Sequence, residues 1–370
     1  MSLDALSLKY RPEKLADVIG QQVVVQTLMN SWNDKNWHHA YLLEGNKGSG
    51  KTTSCRIMAA MDNCEKGPSL EPCGVCRNCT DIFTGKSIDV CELNAADNRG
   101  IDDIRELKSK SYLSPVNSRV KYFILDEVHR LTDAAAESAL KFIEEPPNNV
   151  RILLATTDPQ KVKDTIVSRC IRLSFNKISW MDIQKHLQNV CSLEKIECDE
   201  KASAFMAKIA KGSVRDALQG LQSVSSYVGK GKIITLEDAQ KVLGFADGQL
   251  YFDLIDNIVK IDSMASTLTI EKIISQGKNI DNVIETLSSH LRNLLLARTC
   301  GSNIVEFGIL EDEAKKYIHQ ASSVSPSIIT EMMSELMNVQ RSIVLNLNPQ
   351  YYLEKFVIQS IISVVKSQKK

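Results

Sequence analysis

The sequence predicts an α/β fold: a doubly wound parallel sheet over residues 1–178, then a small helical domain over 179–243 and a second all-helical domain over 244–370. Three observations predict it. Strand-like and helix-like segments alternate from Ala40 to Phe175, the pattern of parallel strands joined by crossover helices. The glycine-rich run "GNKGSGKTT" at 45–53 lies directly behind the apolar "AYLLE" and ahead of "TTSCRIMAAM", a strand–loop–helix context. After Phe175 the apolar spacing is helical to the end of the chain.

The first strand, Tyr41 to Glu44, delivers the chain into G-x-x-x-x-G-K-T, with Gly45, Gly50, Lys51 and Thr52 at the fixed places. Glycines let backbone N–H groups curl around phosphate oxygens, and the following helix adds its N-terminal dipole. Asn46, Lys47, Gly48, Ser49 and Thr53 complete the loop. Lys51 would neutralise the β and γ phosphates, and the Thr52 hydroxyl would ligate Mg²⁺. The bland alternative is a flexible glycine turn before a helix.

Next comes "NCEKGPSLEPCGVCRNC", in which Cys64, Cys73, Cys76 and Cys79 follow C-x8-C-x2-C-x2-C. Four thiolates in one loop make a closed tetrahedral Zn²⁺ site with no position left for a substrate. An Fe–S cluster and unliganded core thiols are the alternatives. "SIDVCELN" then alternates as a strand, and "AADNRGIDDIRELKSK" reads as a turn and an amphipathic helix. "RVKYFILDEVHRL" is a nearly continuous apolar strand ending in Asp126 and Glu127. Acidic groups at the carboxyl end of such a strand lie where α/β folds bind ligands. Asp126 would hold Mg²⁺ through water, and Glu127 would orient and deprotonate an attacking water, unless both are simply solvated. With the phosphate loop, the pair specifies a nucleoside triphosphatase. "ALKFIEEPPNN" is a helix stopped by Pro146 and Pro147, "VRILLATTDP" a buried strand ending at Thr156 and Thr157, and "KVKDTIVSRCIRLSF" one more helix and strand.

Composition bounds the rest. Lys plus Arg and Asp plus Glu both number 45, so the formal charge is zero and any nucleic-acid contact needs a local basic surface. No run approaches a membrane span, and "MSLDALSLKYRPEKLADVIG" is too polar for a signal peptide. The expectation is a soluble protein in a reducing compartment, where ten cysteines do not mean disulfides.

Eight runs in order, "KYRPEKLADVIGQ", "HHAYLLEGNKGSGKTT", "NC…PCGVCRNC", "LDEVHRLT", "ALKFIEEPP", "LLATTDPQKV", "TIVSRC" and "GSVRDAL", carry a family resemblance over essentially the whole chain. The sequence resembles the gamma/tau ATPase family of the bacterial DNA polymerase III clamp loader, within the AAA+ ATPases. "LNAADNRGIDDIR" departs toward the eukaryotic replication factor C small subunits. The resemblance implies an AAA+ ATPase domain with a zinc insertion at 64–79, a helical lid at 179–243 and a helical collar for oligomerisation at 244–370. It implies Tyr10, Arg11 and Val18 near adenine and ribose, Thr157 as the sensor of the γ-phosphate, Arg169 as an arginine finger and Arg215 as a second sensor on the lid. Alone, either arginine would read as a surface ion pair.

The resemblance further implies ATP, Mg²⁺ and Zn²⁺, and partnership with delta-like and delta-prime-like subunits, copies of itself, a sliding clamp and primer–template DNA held by backbone contacts. Single-stranded-DNA-binding protein is a further candidate partner. Arg99, Arg105, Lys161 and Thr165 are candidate DNA contacts. The chain, stopping at "VVKSQKK", resembles the short, loader-only form, expected in the cytoplasm of a bacterium or of a phage-infected host. Two rival functions stand beside this one: a non-catalytic stator of the loader, disfavoured by the intact loop and Glu127, and a branch-migration helicase of the same superfamily, disfavoured by the cysteine segment and "SRC".

Overall fold

A computed structural model describes residues 5–34, 37–244, 248–275, 280–307, 309, 311–345 and 347–368. Residues up to Leu236 form one compact unit and those from Glu237 onward another.

The first unit is built on β1 (Ala40–Gly45), β2 (Val90–Asn94), β3 (Lys121–Asp126), β4 (Val150–Thr156) and β5 (Ile171–Phe175), all paired in parallel in the order β2-β3-β4-β1-β5. β1 extends one residue beyond each end of the stretch Tyr41 to Glu44 read from the sequence. Around the sheet run α1 (Leu6–Lys9), α2 (Gln22–Asn33), α3 (Lys51–Asn63), α4 (Arg77–Thr84), α5 (Ile101–Ser111), α6 (Asp133–Glu144) and α7 (Asp164–Val167). Alternate strand residues face opposite sides. Tyr41, Leu43, Tyr122, Ile124, Leu153 and Leu173 share a core with α2, α3 and the buried Cys64 and Cys79. Leu42, Phe123, Leu125, Ile152 and Leu154 share another with α5, α6 and α7. Both faces are covered, which is why β1, β3 and β4 read as continuous apolar runs, whereas the edge strand β2 alternates in burial.

The unit continues into α8 (Trp180–Glu194), α9 (Glu200–Ile209) and α10 (Val214–Val228). Ser179 and Ser213 cap α8 and α10, each accepting the backbone N–H three residues on. α11 (Leu236–Val242) follows. The second unit contains α12 (Gly248–Val259), α13 (Ser263–Ser275), α14 (Ile280–Cys300), α15 (Glu311–Ser322), α16 (Pro326–Val344) and α17 (Pro349–Gln368) around one apolar core that includes Leu254, Leu287, Leu291, Ile329 and Phe356. No described helix is long and apolar enough to cross a membrane.

Candidate active site

The carboxyl ends of β3, β4, β1 and β5 lie side by side, and the chain leaving each carries a piece of the candidate site. From β1 comes the glycine loop. Gly50 caps α3 at φ 102°, a left-handed conformation a Cβ would oppose, and Gly45 at φ 147° lies so close to β5 that a Cβ there would meet the Phe175 carbonyl oxygen at 2.3 Å. Lys51 is buried and donates from Nζ to the carbonyls of Gly45 at 2.6 Å and Asn46 at 2.8 Å. Burial pulls its amine below the ordinary lysine value, with the Asp126 and Glu127 carboxylates pulling the other way.

β3 ends in the acidic pair although β4 stands between it and β1. Thr52 Oγ1 donates to Asp126 Oδ2 at 2.8 Å, so the loop and the strand end meet in a pair of oxygens of the hard type that Mg²⁺ takes. Asp126 Oδ1 accepts the Glu127 N–H at 2.9 Å. Glu127 itself is left-handed, at φ 53° and ψ 43°. Its Oε2 accepts from the Thr157 hydroxyl at 2.7 Å and the Thr157 N–H at 3.2 Å, which ties the end of β4 to the end of β3.

A cleft of about 380 Å³ opens over these groups. Of the residues predicted to hold nucleotide, Tyr10, Arg11, Val18, Lys47 to Thr53, Asp126, Glu127, Thr157 and Arg215 line it; Gly45 and Asn46 act behind it through Lys51. Arg11 Nε donates to Thr53 Oγ1 at 2.9 Å, and burial beside Arg56 holds its guanidinium down to about 10. Tyr10 donates to Glu194 Oε1 at 2.6 Å, joining the N-terminal segment to α8. Sequence reading missed Asn94, Ile178, His186 and Leu218 in the cleft wall. Each is an ordinary residue at the end of a strand, in the segment between β5 and α8, or on a helix face, and no local pattern sets it apart.

Arg169 stands outside the cleft, just past α7, where Nε pairs with Glu144 at 3.0 Å and Nη1 donates to the Thr165 carbonyl at 2.8 Å. The candidate DNA contacts also lie away from the cleft. Arg105 pairs with Asp102 at 3.0 Å and Lys161 with Asp158 at 2.7 Å, while the Arg99 carbonyl accepts the Thr132 N–H.

The four predicted thiols come together. The Sγ atoms of Cys64, Cys73, Cys76 and Cys79 all lie within 4.8 Å of one another. About 3.8 Å separates sulfurs on a tetrahedral zinc with 2.3 Å bonds, so the cluster is of the right size. Backbone N–H groups already point at the sulfurs, from Cys73 to Cys64, Cys76 to Cys73 and Cys79 to Cys76, which is how a thiolate is stabilised. Such donors, from Val75 and Cys76, hold the Cys73 thiol down to about 6. The donor set fits zinc.

Three family models match the chain in order: "DNA polymerase III, delta subunit" over residues 20–179, "DNA polymerase III clamp loader subunit, ATPase lid domain" over 182–220 and "DNA polymerase III subunits gamma and tau domain III" over 234–368. The chain is 36% identical over 300 residues to DNA polymerase III subunit tau of Bacillus subtilis, covering 81% of this chain and 53% of that one. It is 36% identical to subunit tau of Escherichia coli, covering 75% and 43%, and 35% identical to subunit gamma of Buchnera aphidicola, covering 77% and 78%. It therefore spans about half the length of the tau subunits and most of the gamma subunit.

Proposed function

The chain belongs to the gamma/tau family of DNA polymerase III clamp-loader subunits, within the AAA+ ATPases, and from that premise we propose that it is an ATP-driven motor which, in a multi-subunit assembly, opens a sliding clamp and loads it onto primer–template DNA. The observation that carries the reading is the convergence of Lys51, the Thr52–Asp126 contact and the Glu127–Thr157 pair at neighbouring strand ends under one cleft.

In this reading Lys51 turns from the Gly45 and Asn46 carbonyls to the β and γ phosphates of ATP, and the loop N–H groups with the N-terminus of α3 surround the phosphate oxygens. Thr52 and, through water, Asp126 would hold Mg²⁺, which when bound neutralises charge on those phosphates. Glu127 takes a proton from water as its oxygen bonds to the γ-phosphorus and the bond to the β-phosphate oxygen breaks, leaving ADP and phosphate. Thr157 senses the γ-phosphate, Arg215 does so from the lid, and Tyr10, Arg11 and Val18 flank adenine and ribose. Arg169, outside its own cleft, serves that of a neighbouring copy in a ring. Cys64, Cys73, Cys76 and Cys79 hold one structural zinc.

The domain scheme of ATPase 1–178, lid 179–243 and collar 244–370 goes with this function, supported by the order of the three matched families. The partners are delta-like and delta-prime-like subunits, further copies, the clamp, DNA gripped through its phosphates, and single-stranded-DNA-binding protein, all in the cytoplasm as part of the polymerase holoenzyme. The test is ATP hydrolysis by the full chain with loader partners and clamp, with and without primed DNA. Stimulation by DNA that weakens steeply with salt is expected; an assembly that binds no nucleotide would end the proposal.

A further inference from the structure

Between Leu6 and Lys14 the chain crosses the first unit as a strap, mounted at both ends and in the middle. At its start the Leu6 N–H donates to Gln222 Oε1 on α10 at 3.0 Å, and Tyr10 donates to Glu194 on α8. In the middle Arg11 is tied to Thr53 in the first turn of α3. At its end Lys14 Nζ pairs with Glu71 Oε2 at 2.8 Å, in the loop between Cys64 and Cys73. The Glu13 carboxylate lies against Gly74, so close that a Cβ there would meet Oε2 at 2.6 Å. Between these mounts, Tyr10, Arg11 and Pro12 line the cleft.

The cysteine loop is thereby joined to the cleft through the strap as well as through α3. That helix starts at the glycine loop, with Gly50 as its N-cap, ends with Cys64 as its C-cap, and is buried along most of its length. Arg119 fixes the Cys64 end by donating from Nη1 to the Cys64 carbonyl at 2.8 Å, and the Ser69 N–H donates back to the Met61 carbonyl on α3 at 3.0 Å. Leu15 and Val18, just past the strap, are buried in the same apolar core as Cys64 and Cys79. A packed helix carries position along its length, whereas an extended strap keeps its course only while its ends are held. Four sulfurs on one zinc would fix the segment that bears Glu71 and Gly74, and with it the last mount of the strap.

We propose that Glu13 and Lys14 are positioning residues for the nucleotide cleft, held by the cysteine loop, so that zinc at the four sulfurs and nucleotide in the cleft bind with positive coupling. Binding in either place favours the same course of the strap. Such coupling is reciprocal: the factor by which zinc raises nucleotide affinity is the factor by which nucleotide raises zinc affinity. The factor is small. Lys14 and Glu71 are 46% and 71% exposed, and exposed ion pairs contribute little, so roughly 2- to 5-fold is expected in each direction. The inference rests on reading the cleft as a nucleotide site and the cluster as a zinc site.

The experiment has a metal arm and a charge-exchange arm, both on the full chain. In the first, zinc is partitioned between the chain and a chromophoric chelator, with and without a non-hydrolysable ATP analogue in excess magnesium. The analogue should raise the apparent zinc affinity of the parent roughly 2- to 5-fold and leave that of Lys51→Ala unchanged, a control that also reports zinc taken up by free nucleotide. In the second, Lys14→Glu and Glu71→Lys should each weaken binding of the analogue roughly 2- to 5-fold, and the double exchange should restore it to within about twofold. Glu71→Lys is the decisive variant: neither Lys14 nor Glu71 lines the cleft, and a bare electrostatic effect of the added positive charge would tighten nucleotide binding instead. Tighter or parental binding by Glu71→Lys, a double variant no better than the single ones, or zinc retention indifferent to the analogue would each overturn the proposal. A parent chain that binds no nucleotide, or takes up no zinc, fails the reading of the cleft or of the cluster first and takes the coupling with it; a parent that binds both independently sinks the coupling alone.

Discussion

In the C-terminal unit, His290 on α14 bonds Gln320 on α15 at 2.9 Å, and the Gln320 amide goes on to the Phe252 carbonyl and Asp256 on α12. Phe252 and Tyr317 pack around the imidazole, and histidine and glutamine are both almost fully buried. In the cleft of the first unit, Lys51 leans on two carbonyls, Thr52 on Asp126, and Glu127 offers an oxygen that no described residue occupies. The network in the helical unit closes its polar groups on one another; the cleft parks them on partners they can exchange. Satisfied networks of the first kind fix one packing arrangement, and spare capacity of the second kind is what a substrate can use. The thiol cluster sides with the helical unit: three of its sulfurs accept backbone N–H groups of the cluster's own segment, and four thiolates would fill a tetrahedral site without an open position.

The largest expected effect tests whether the cleft is complete within one chain. Arg169→Ala should bind ATP almost normally and lose roughly 10³ to 10⁵ in hydrolysis by the assembly. Lys51→Ala should fail to bind. Mixed together, the two variants can form interfaces that join an intact loop to an intact arginine, so activity should partly return. Continued silence despite proven co-assembly would mean that Arg169 does not act between copies.

Glu127→Gln should hydrolyse roughly 10² to 10⁴ times more slowly while retaining ATP, because the amide keeps the shape and the Thr157 contact but takes up no proton. Loss of binding alongside turnover would place Glu127 with the exchanging contacts of Lys51 and blur the contrast.

The cysteine cluster should respond in the opposite sense. One zinc per chain is expected by elemental analysis, and Cys79→Ser should lower the melting temperature and the yield of assembly while the hydrolysis rate per assembled chain changes only a few-fold. Iron, or no metal in fresh protein, would remove the cluster from this side of the comparison.

The smallest effect belongs to the helical unit. Burial pushes the His290 imidazole down to about 4, against about 6.5 in an unfolded chain. The unfolded state therefore binds the proton first as pH falls, so stability is full above about pH 6.5 and declines between about 6.5 and 4, by up to about 3 kcal/mol. A proton NMR titration reads this directly, with the His290 midpoint expected near 4. A midpoint near 6.5 would show the network to be open to water.

Where the candidate site depends on neighbours in sequence, it was legible. The loop from Gly45 to Thr52, the cysteine spacing and the acidic end of "ILDE" are each a short run whose chemistry needs those residue types in that order. Strand alternation and the helical spacing after Phe175 were legible too, because burial imposes a period. Contacts across the fold were not. That β4 lies between β1 and β3 is a matter of topology, and on it depend the Thr157–Glu127 bond and the seat of His129 against Thr156. His290 and Gln320, thirty residues apart, read as two unremarked polar positions on helices. Arg11 on Thr53 was invisible for the same reason, although the family resemblance implied a place for Arg11 near adenine and ribose.

The glycines of the loop have a mechanical consequence. A Cβ on Gly45 would strike the Phe175 carbonyl at 2.3 Å, and one on Gly48 would strike the Ser213 hydroxyl at 2.0 Å, at the cap of α10 two residues before Arg215. A side chain at Gly45 would thus be met by the last residue of β5, and one at Gly48 by the cap of the helix that carries that arginine. An alanine at either position would have to displace that neighbour, so Gly45→Ala and Gly48→Ala would each shift the loop or the residue it faces.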